Sequence, residues 1–146
     1  MKKLVVLVIC SVLLSCSFDE QIEFSDGTRT QMSHWQGRWL VINYWAEWCA
    51  PCRHEIPELN ELHANRVESG VVVLGVNYDG LSQPKLGEVM QRMDVKFPVL
   101  KRDPQVKYGY ARAEHLPMTV LINPEREVHD ILIGPQTAAS ILAAIN

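Results

Sequence analysis

Seven residues, Trp39-Leu40-Val41-Ile42-Asn43-Tyr44-Trp45, form an almost unbroken apolar run rich in β-branched and aromatic side chains. A half-exposed strand alternates apolar and polar residues, so an unbroken run requires a strand covered on both faces. The chain must therefore build a central sheet between two layers. Its 146 residues, 47% hydrophobic and 21% charged, suffice for one domain with a substantial core. A net charge of −3 and the lack of any long Lys/Arg run leave no basic face, so nucleic-acid binding is not expected.

Residues 71–77 repeat the buried-strand pattern, and 97–100, 118–122 and 128–133 read as further strands, the last two joined by the turn Asn123-Pro124-Glu125-Arg126. Residues 21–24 and 29–32 flank the turn signal Ser25-Asp26-Gly27-Thr28 and predict a small edge hairpin. Ile56, Leu59, Leu62 and Val67 recur at helical spacing, with Glu58, Glu61, Asn65 and Arg66 between them, predicting a helix from about residue 50 to 68. Helices are also expected over 85–93, 104–111 and 138–145, the last capped by Thr137. Strands alternating with helices make an α/β domain, and the closing hairpin makes its sheet mixed. There is no internal repeat and no low-complexity linker.

The N-terminus differs from the rest. Met1-Lys2-Lys3 is a positive start, and residues 4–14 are an apolar run. A membrane-spanning helix needs roughly 20 apolar residues, whereas this length fits the core of a secretory signal peptide. The mature protein is therefore expected outside the cytoplasm. Leu13-Leu14-Ser15-Cys16 resembles the bacterial lipobox, which implies that Cys16 is lipidated and becomes the new N-terminus; an ordinary signal peptide cut nearby is the other reading. The expected organisation is a lipoprotein signal peptide over 1–15, a lipidated tether over 16–20 and one domain over 21–146. By the same resemblance, Ser17 in place of an Asp points to the outer membrane. Cys10 would leave with the leader, so Cys49 and Cys52 are the free sulfurs that remain and can pair only with each other.

Cys49-Ala50-Pro51-Cys52 follows the first buried run and opens the long predicted helix. Unpaired N–H groups and the helix dipole there favour a thiolate on Cys49. Cys52, one turn deeper, is placed to attack a mixed disulfide formed by Cys49, and Pro51 suits a first turn. A purely structural disulfide is a weaker reading, because a bridge enclosing two residues removes little entropy from the unfolded chain. Zinc is equally weak: His54 and His63 are nearby, but no second cysteine pair stands at ligand spacing.

The segment from Val41 through Trp45-Ala46-Glu47-Trp48 to Cys49-Ala50-Pro51-Cys52 resembles the active-site strand and turn of thioredoxin-like proteins. Leu116-Pro117-Met118-Thr119 is similar to that family's cis-proline loop, and Pro57 matches its helix-kinking proline. About 27 residues, 81–107, resemble the extra helix and strand of the TlpA and ResA branch, whose members are membrane-attached extracytoplasmic reductases. The resemblance implies a thioredoxin-like fold: a central mixed β-sheet flanked by helices, with an N-terminal hairpin and a helix-strand insertion. It implies catalytic roles for Cys49, Cys52, Glu55 and Pro117, and client contacts for Trp48, Ala50, Pro51 and Leu116. The activity implied is protein-disulfide reduction, with no cofactor and no metal. Expected partners are a disulfide-containing client, with apocytochrome c the obvious class, a membrane-embedded thiol electron donor, and the membrane through the lipid anchor. A monomer is expected.

Asn43 stands where cytosolic thioredoxins carry a buried Asp that moves the proton of the second cysteine. In the TlpA and ResA branch that task resembles one for Glu55, three residues after Cys52 and on the same side of a helix. The alternative is a solvated helix glutamate paired with Arg53 or His63. His115 reads as a loop-surface residue. Two other functions share these features: a DsbA-like thiol oxidase, whose large insertion is missing here, and a Sco-type copper chaperone, whose cysteines are three residues apart instead of two. A peroxidase is not expected, since no peroxidatic motif and no distant resolving cysteine accompany the pair.

Overall fold

The computed structural model describes residues 19–146, so the leader, Cys16 and Ser17 lie outside the described residues. The chain enters through a hairpin of β1 (Gln21–Glu23) and β2 (Arg29–Gln31), paired antiparallel with Ile22 opposite Thr30. Asp26 closes its turn by accepting from the Thr28 backbone N–H at 2.9 Å and the Thr28 hydroxyl at 2.6 Å. The adjoining Gly27 has φ +86°, a conformation that costs glycine nothing. A 3₁₀ turn, Met32–Trp35, then leads to β3 (Trp39–Trp45).

The main sheet has the order β4-β3-β5-β6, with β4 (Val71–Asn77), β5 (Met118–Ile122) and β6 (Val128–Ile133). β4 runs parallel to β3, whereas β5 and β6 are antiparallel to their neighbours, giving the mixed sheet expected. Alternation along β3 divides the core. Val41 and Trp45 face a cluster containing Cys52, Ile56, Leu59, Leu86, Val89 and Ile141, supplied by α1 (Ala50–Ala64), α3 (Lys85–Arg92) and α5 (Ala138–Ala144). Leu40, Ile42 and Tyr44 face the other cluster, covered by Trp35, the hairpin residues Ile22 and Phe24, and Tyr108 and Tyr110 from the segment before β5. Both faces of β3 are therefore dry, as its apolar run requires. No helix among the described residues is long and apolar enough to cross a membrane.

Several element boundaries differ from those expected. The helix predicted over 50–68 stops at Ala64, and a separate turn, α2 (Arg66–Ser69), follows Asn65. Past Leu62 nothing anchors the helix in the core: Val67 is 77% exposed, so its helical spacing was coincidental. Residues 97–100 do not form a strand. Val99 and Leu100 make isolated bridges to Gly75 and Phe24, because Pro98 has no N–H to extend the ladder. The helix expected over 104–111 shrinks to α4 (Gln105–Tyr108), ended by the left-handed Gly109. Residues 19 and 20, assigned to the tether, already touch the domain: Asp19 accepts from Ser33 N–H at 3.1 Å, and the Glu20 carbonyl accepts from Met32 N–H at 2.9 Å.

Candidate active site

β3 delivers the chain to the start of α1, where Cys49 occupies the N-cap position with an extended backbone and Ala50 and Pro51 open the helix. Cys49 and Cys52 are joined in a disulfide, with their Cα atoms 5.3 Å apart. The Cys49 sulfur accepts from Cys52 N–H at 3.2 Å, so sulfur fills the capping role that an oxygen usually plays. In the reduced state the same N–H and the positive end of the helix favour a thiolate there. Cys49 is 4% exposed and Cys52 is sealed, whereas Ala50 and Pro51 lie at the surface.

Trp48 is 64% exposed beside this buried pair. Its indole N–H donates to Asp79 at 3.1 Å, and its ring meets Tyr78 edge-on at 6.2 Å, which holds the side chain in place on the surface. Trp45 points the other way and is fully buried. The Leu116–Pro117 peptide bond is cis, in keeping with the family likeness of that loop; Leu116 is half-buried and Pro117 buried. His115 is exposed.

Glu55 is not the helix-surface residue that a solvated glutamate would be. It is 1% exposed, and neither Arg53 nor His63 pairs with it; Arg53 instead donates to the Glu47 carbonyl at 3.0 and 2.6 Å. Glu55 Oε1 accepts from Asn43 Nδ2 at 2.7 Å, and Oε2 accepts from the Gln136 backbone N–H at 3.0 Å. Burial pushes its pKa up to about 7, although both hydrogen bonds oppose that rise. Asn43 Nδ2 spends its other proton on Thr119 Oγ1, 3.1 Å away. Asn43 and Thr119 are direct cross-strand partners in the β3–β5 ladder, and neither is exposed at all.

Thr119 and Gln136 were not picked out as site residues from the sequence. Thr119 did carry a signal, as the one polar residue in Met118-Thr119-Val120-Leu121-Ile122, where a buried hydroxyl needs a partner. Gln136 carried none, since it contributes a backbone N–H. Among the described residues no group of three or more His, Cys, Asp and Glu side chains is gathered to hold a metal ion.

A domain with this sheet, a cysteine pair at the head of its first long helix and a cis-proline loop has the thioredoxin-like architecture. The AhpC/TSA family model matches residues 17–131, and the chain belongs to that family. It is 35% identical over 118 residues to the thiol-disulfide oxidoreductase ResA of Geobacillus kaustophilus, an alignment covering 79% of this chain. The chain spans just under two thirds of that relative's length, 66%. StoA from Bacillus subtilis superposes with a TM-score of 0.67 at 20% identity, covering 87% of this chain and 96% of that one. The exposed lipoprotein thioredoxin Etrx1 of Streptococcus pneumoniae superposes at 0.68 and 23% identity, covering 87% and 97%. Those two likenesses establish the fold.

Proposed function

We propose that this protein is an extracytoplasmic protein-disulfide reductase. The observation that supports this reading most is the Cys49–Cys52 pair at the helix start, backed by a buried carboxyl that exchanges protons near neutral pH. The Cys49 thiolate attacks one sulfur of a client disulfide. The S–S bond breaks, and the other client sulfur departs as a thiolate and takes a proton from water. Cys52, after losing its proton, attacks the Cys49 sulfur and expels the second client thiolate. Two electrons pass to the client, and the Cys49–Cys52 disulfide remains. Glu55, one helical turn beyond Cys52, receives the Cys52 proton, and its raised proton affinity lets it hold and release that proton around pH 7.

Trp48, Ala50 and Pro51, exposed beside Cys49 in the chain, and the half-buried Leu116, which packs against the same core cluster as Cys49, contact the client, and the buried Pro117 follows Leu116 through the cis bond. A membrane-embedded thiol donor restores the dithiol. Lipid on Cys16 tethers the domain at the periplasmic side of a bacterial membrane, and Ser17 suggests the outer membrane. The ResA resemblance supports apocytochrome c as the client class.

With insulin as substrate, the reduced protein is expected to cleave its disulfides. Cys49→Ser abolishes this, while Cys52→Ser accumulates mixed disulfides on Cys49 that mass spectrometry identifies. A reduction potential near about −120 mV, the range of strong oxidants, in place of values near about −270 mV, would overturn the reductase direction. Membrane fractionation tests the anchor: Cys16→Ala protein still bound to membrane removes it, and wild type in the inner-membrane fraction overturns the sorting assignment alone.

A further inference from the structure

The thiol chemistry proposed above leaves one polar group at the site without a task, the Thr119 hydroxyl. A fully buried hydroxyl in an otherwise apolar strand is costly unless bonded, and Thr119 is bonded to Asn43 alone. Asn43 in turn donates to Glu55 with the other proton of the same amide nitrogen. The amide turns its NH₂ end to both neighbours, which the ionised Glu55 carboxylate favours because it can only accept, and its carbonyl oxygen is left with no partner. The third contact is the Gln136 N–H, held in place by the loop that leads into the Thr137 cap of α5.

We propose that Thr119 is a positioning residue for the reductase chemistry: through Asn43 it orients the amide N–H that holds the Glu55 carboxylate, and so sets the pH at which Glu55 exchanges its proton. The inference rests on the proton-handling role proposed for Glu55. Its physical content is simple. Two hydrogen bonds favour ionised Glu55 against a burial that disfavours it: the Gln136 N–H contributes the larger share, and the Asn43 bond, the shorter at 2.7 Å against 3.0 Å, contributes the rest. Asn43 makes that bond well only while its second proton is accepted on the far side, and Thr119 Oγ1 is the acceptor there. Removing the hydroxyl frees the amide to rotate and satisfy its orphaned oxygen instead. That weakens its grip on Glu55 and raises the carboxyl's affinity for a proton.

The charged and titratable surroundings are few. On α1 the neighbours of Glu55 are Cys52, one turn back, and Glu58, whose carboxylate accepts from Ala138 N–H at 3.1 Å. β3 and β5 present Asn43 and Thr119, neither of which titrates, and the segment before α5 presents backbone. No Lys, Arg or His among the described residues bonds to Glu55. A shift on changing Thr119 therefore runs through the Asn43 amide or through the more apolar pocket that valine leaves, and the Asn43 side-chain amide signals tell the two apart.

The test follows the Glu55 side-chain carboxyl carbon by NMR in the oxidised full chain, where the cysteines do not titrate. Thr119→Val, which keeps the shape and removes the hydroxyl, is expected to move the Glu55 midpoint upward by roughly half to one pH unit, about half of what outright loss of a hydrogen bond to a charged group would give. Thr119→Ser restores it. The pH profile of insulin reduction by the reduced proteins moves the same way. In the unmutated protein the Asn43 side-chain amide and the Thr119 methyl titrate with the Glu55 midpoint, a measurement that holds even if the valine variant does not fold. Superimposable Glu55 titrations in wild type and Thr119→Val, or Asn43 and Thr119 signals that ignore the Glu55 midpoint, overturn the proposal. Absence of insulin reduction by the wild type overturns the reductase reading instead, and the carboxyl titration still decides the role of Thr119.

Discussion

Replacing Glu55 by Gln keeps the volume of a buried side chain and deletes its charge, and the consequence depends on pH in a direction the structure fixes. In the unfolded chain the carboxyl titrates near 4.5, whereas in the fold burial raises it to about 7. Between those values the folded protein holds a proton that the unfolded chain has released, so the contribution of Glu55 to wild-type stability is greatest below about pH 4.5 and is lost as pH rises through 7. Linkage with these two values gives a loss of about 2 kcal/mol by pH 6 and about 3 kcal/mol by pH 8, relative to the acid limit. Gln has no such slope. It carries a separate cost at every pH, because its amide has one acceptor oxygen where Glu55, ionised or protonated, has two, and either Asn43 Nδ2 or Gln136 N–H then faces an NH₂ group. That mismatch is worth about 1–3 kcal/mol. Glu55→Gln should therefore be less stable than wild type near pH 4.5 and recover relative to it by about 3 kcal/mol by pH 8.5. Urea unfolding of both oxidised proteins across this range measures the difference. His63, whose pKa burial lowers, tilts both curves equally and cancels. Parallel stability–pH curves would falsify the buried, proton-holding carboxyl.

Two packing predictions are independent of the redox chemistry. A methyl group at Gly75 would lie 2.9 Å from a Phe97 ring carbon, 2.9 Å from Trp45 Nε1 and 3.1 Å from a Val99 methyl, all fixed in the core. Gly75→Ala is therefore expected to cost about 1–3 kcal/mol in urea unfolding, and an unchanged midpoint refutes the close approach. Thr137 and Ser140 cap α5 reciprocally, with Ser140 N–H to Thr137 Oγ1 at 3.0 Å and Thr137 N–H to Ser140 Oγ at 2.9 Å. Thr137→Ala should cost about 0.5–2 kcal/mol; wild-type stability in that variant would show that α5 is held by packing on α1 alone.

The parts of the fold legible in the sequence are those fixed by local patterns. The apolar run of β3, the Cys49–Cys52 spacing at a helix start and the Thr137 cap each follow from residues a few positions apart. The parts that were not legible depend on distant chain. Glu55 has the pattern of an ordinary helix glutamate, and it is buried because Asn43 and the Gln136 N–H, 12 and 81 residues away, close over it. Val67 kept the helical period but lost its core when the helix broke at Asn65. Residues 97–100 had strand composition, yet Pro98 limited them to single bridges.

The hairpin at the chain entrance also determines where a mechanical load would be borne. A pull on Asp19 reaches the domain first through the Asp19–Ser33 contact and the Met32 N–H to Glu20 carbonyl bond. Next in line are the Lys101 N–H to Glu23 carbonyl and the Ser25 N–H to Val99 carbonyl bonds. The hairpin residues Ile22 and Phe24 pack on the face of the sheet away from α1, and Val99 and Leu100 flank the β4 edge. The hairpin thus places peripheral hydrogen bonds between the N-terminus and β3, so that a pull on Asp19 loads these bonds before the strand that leads to the cysteines.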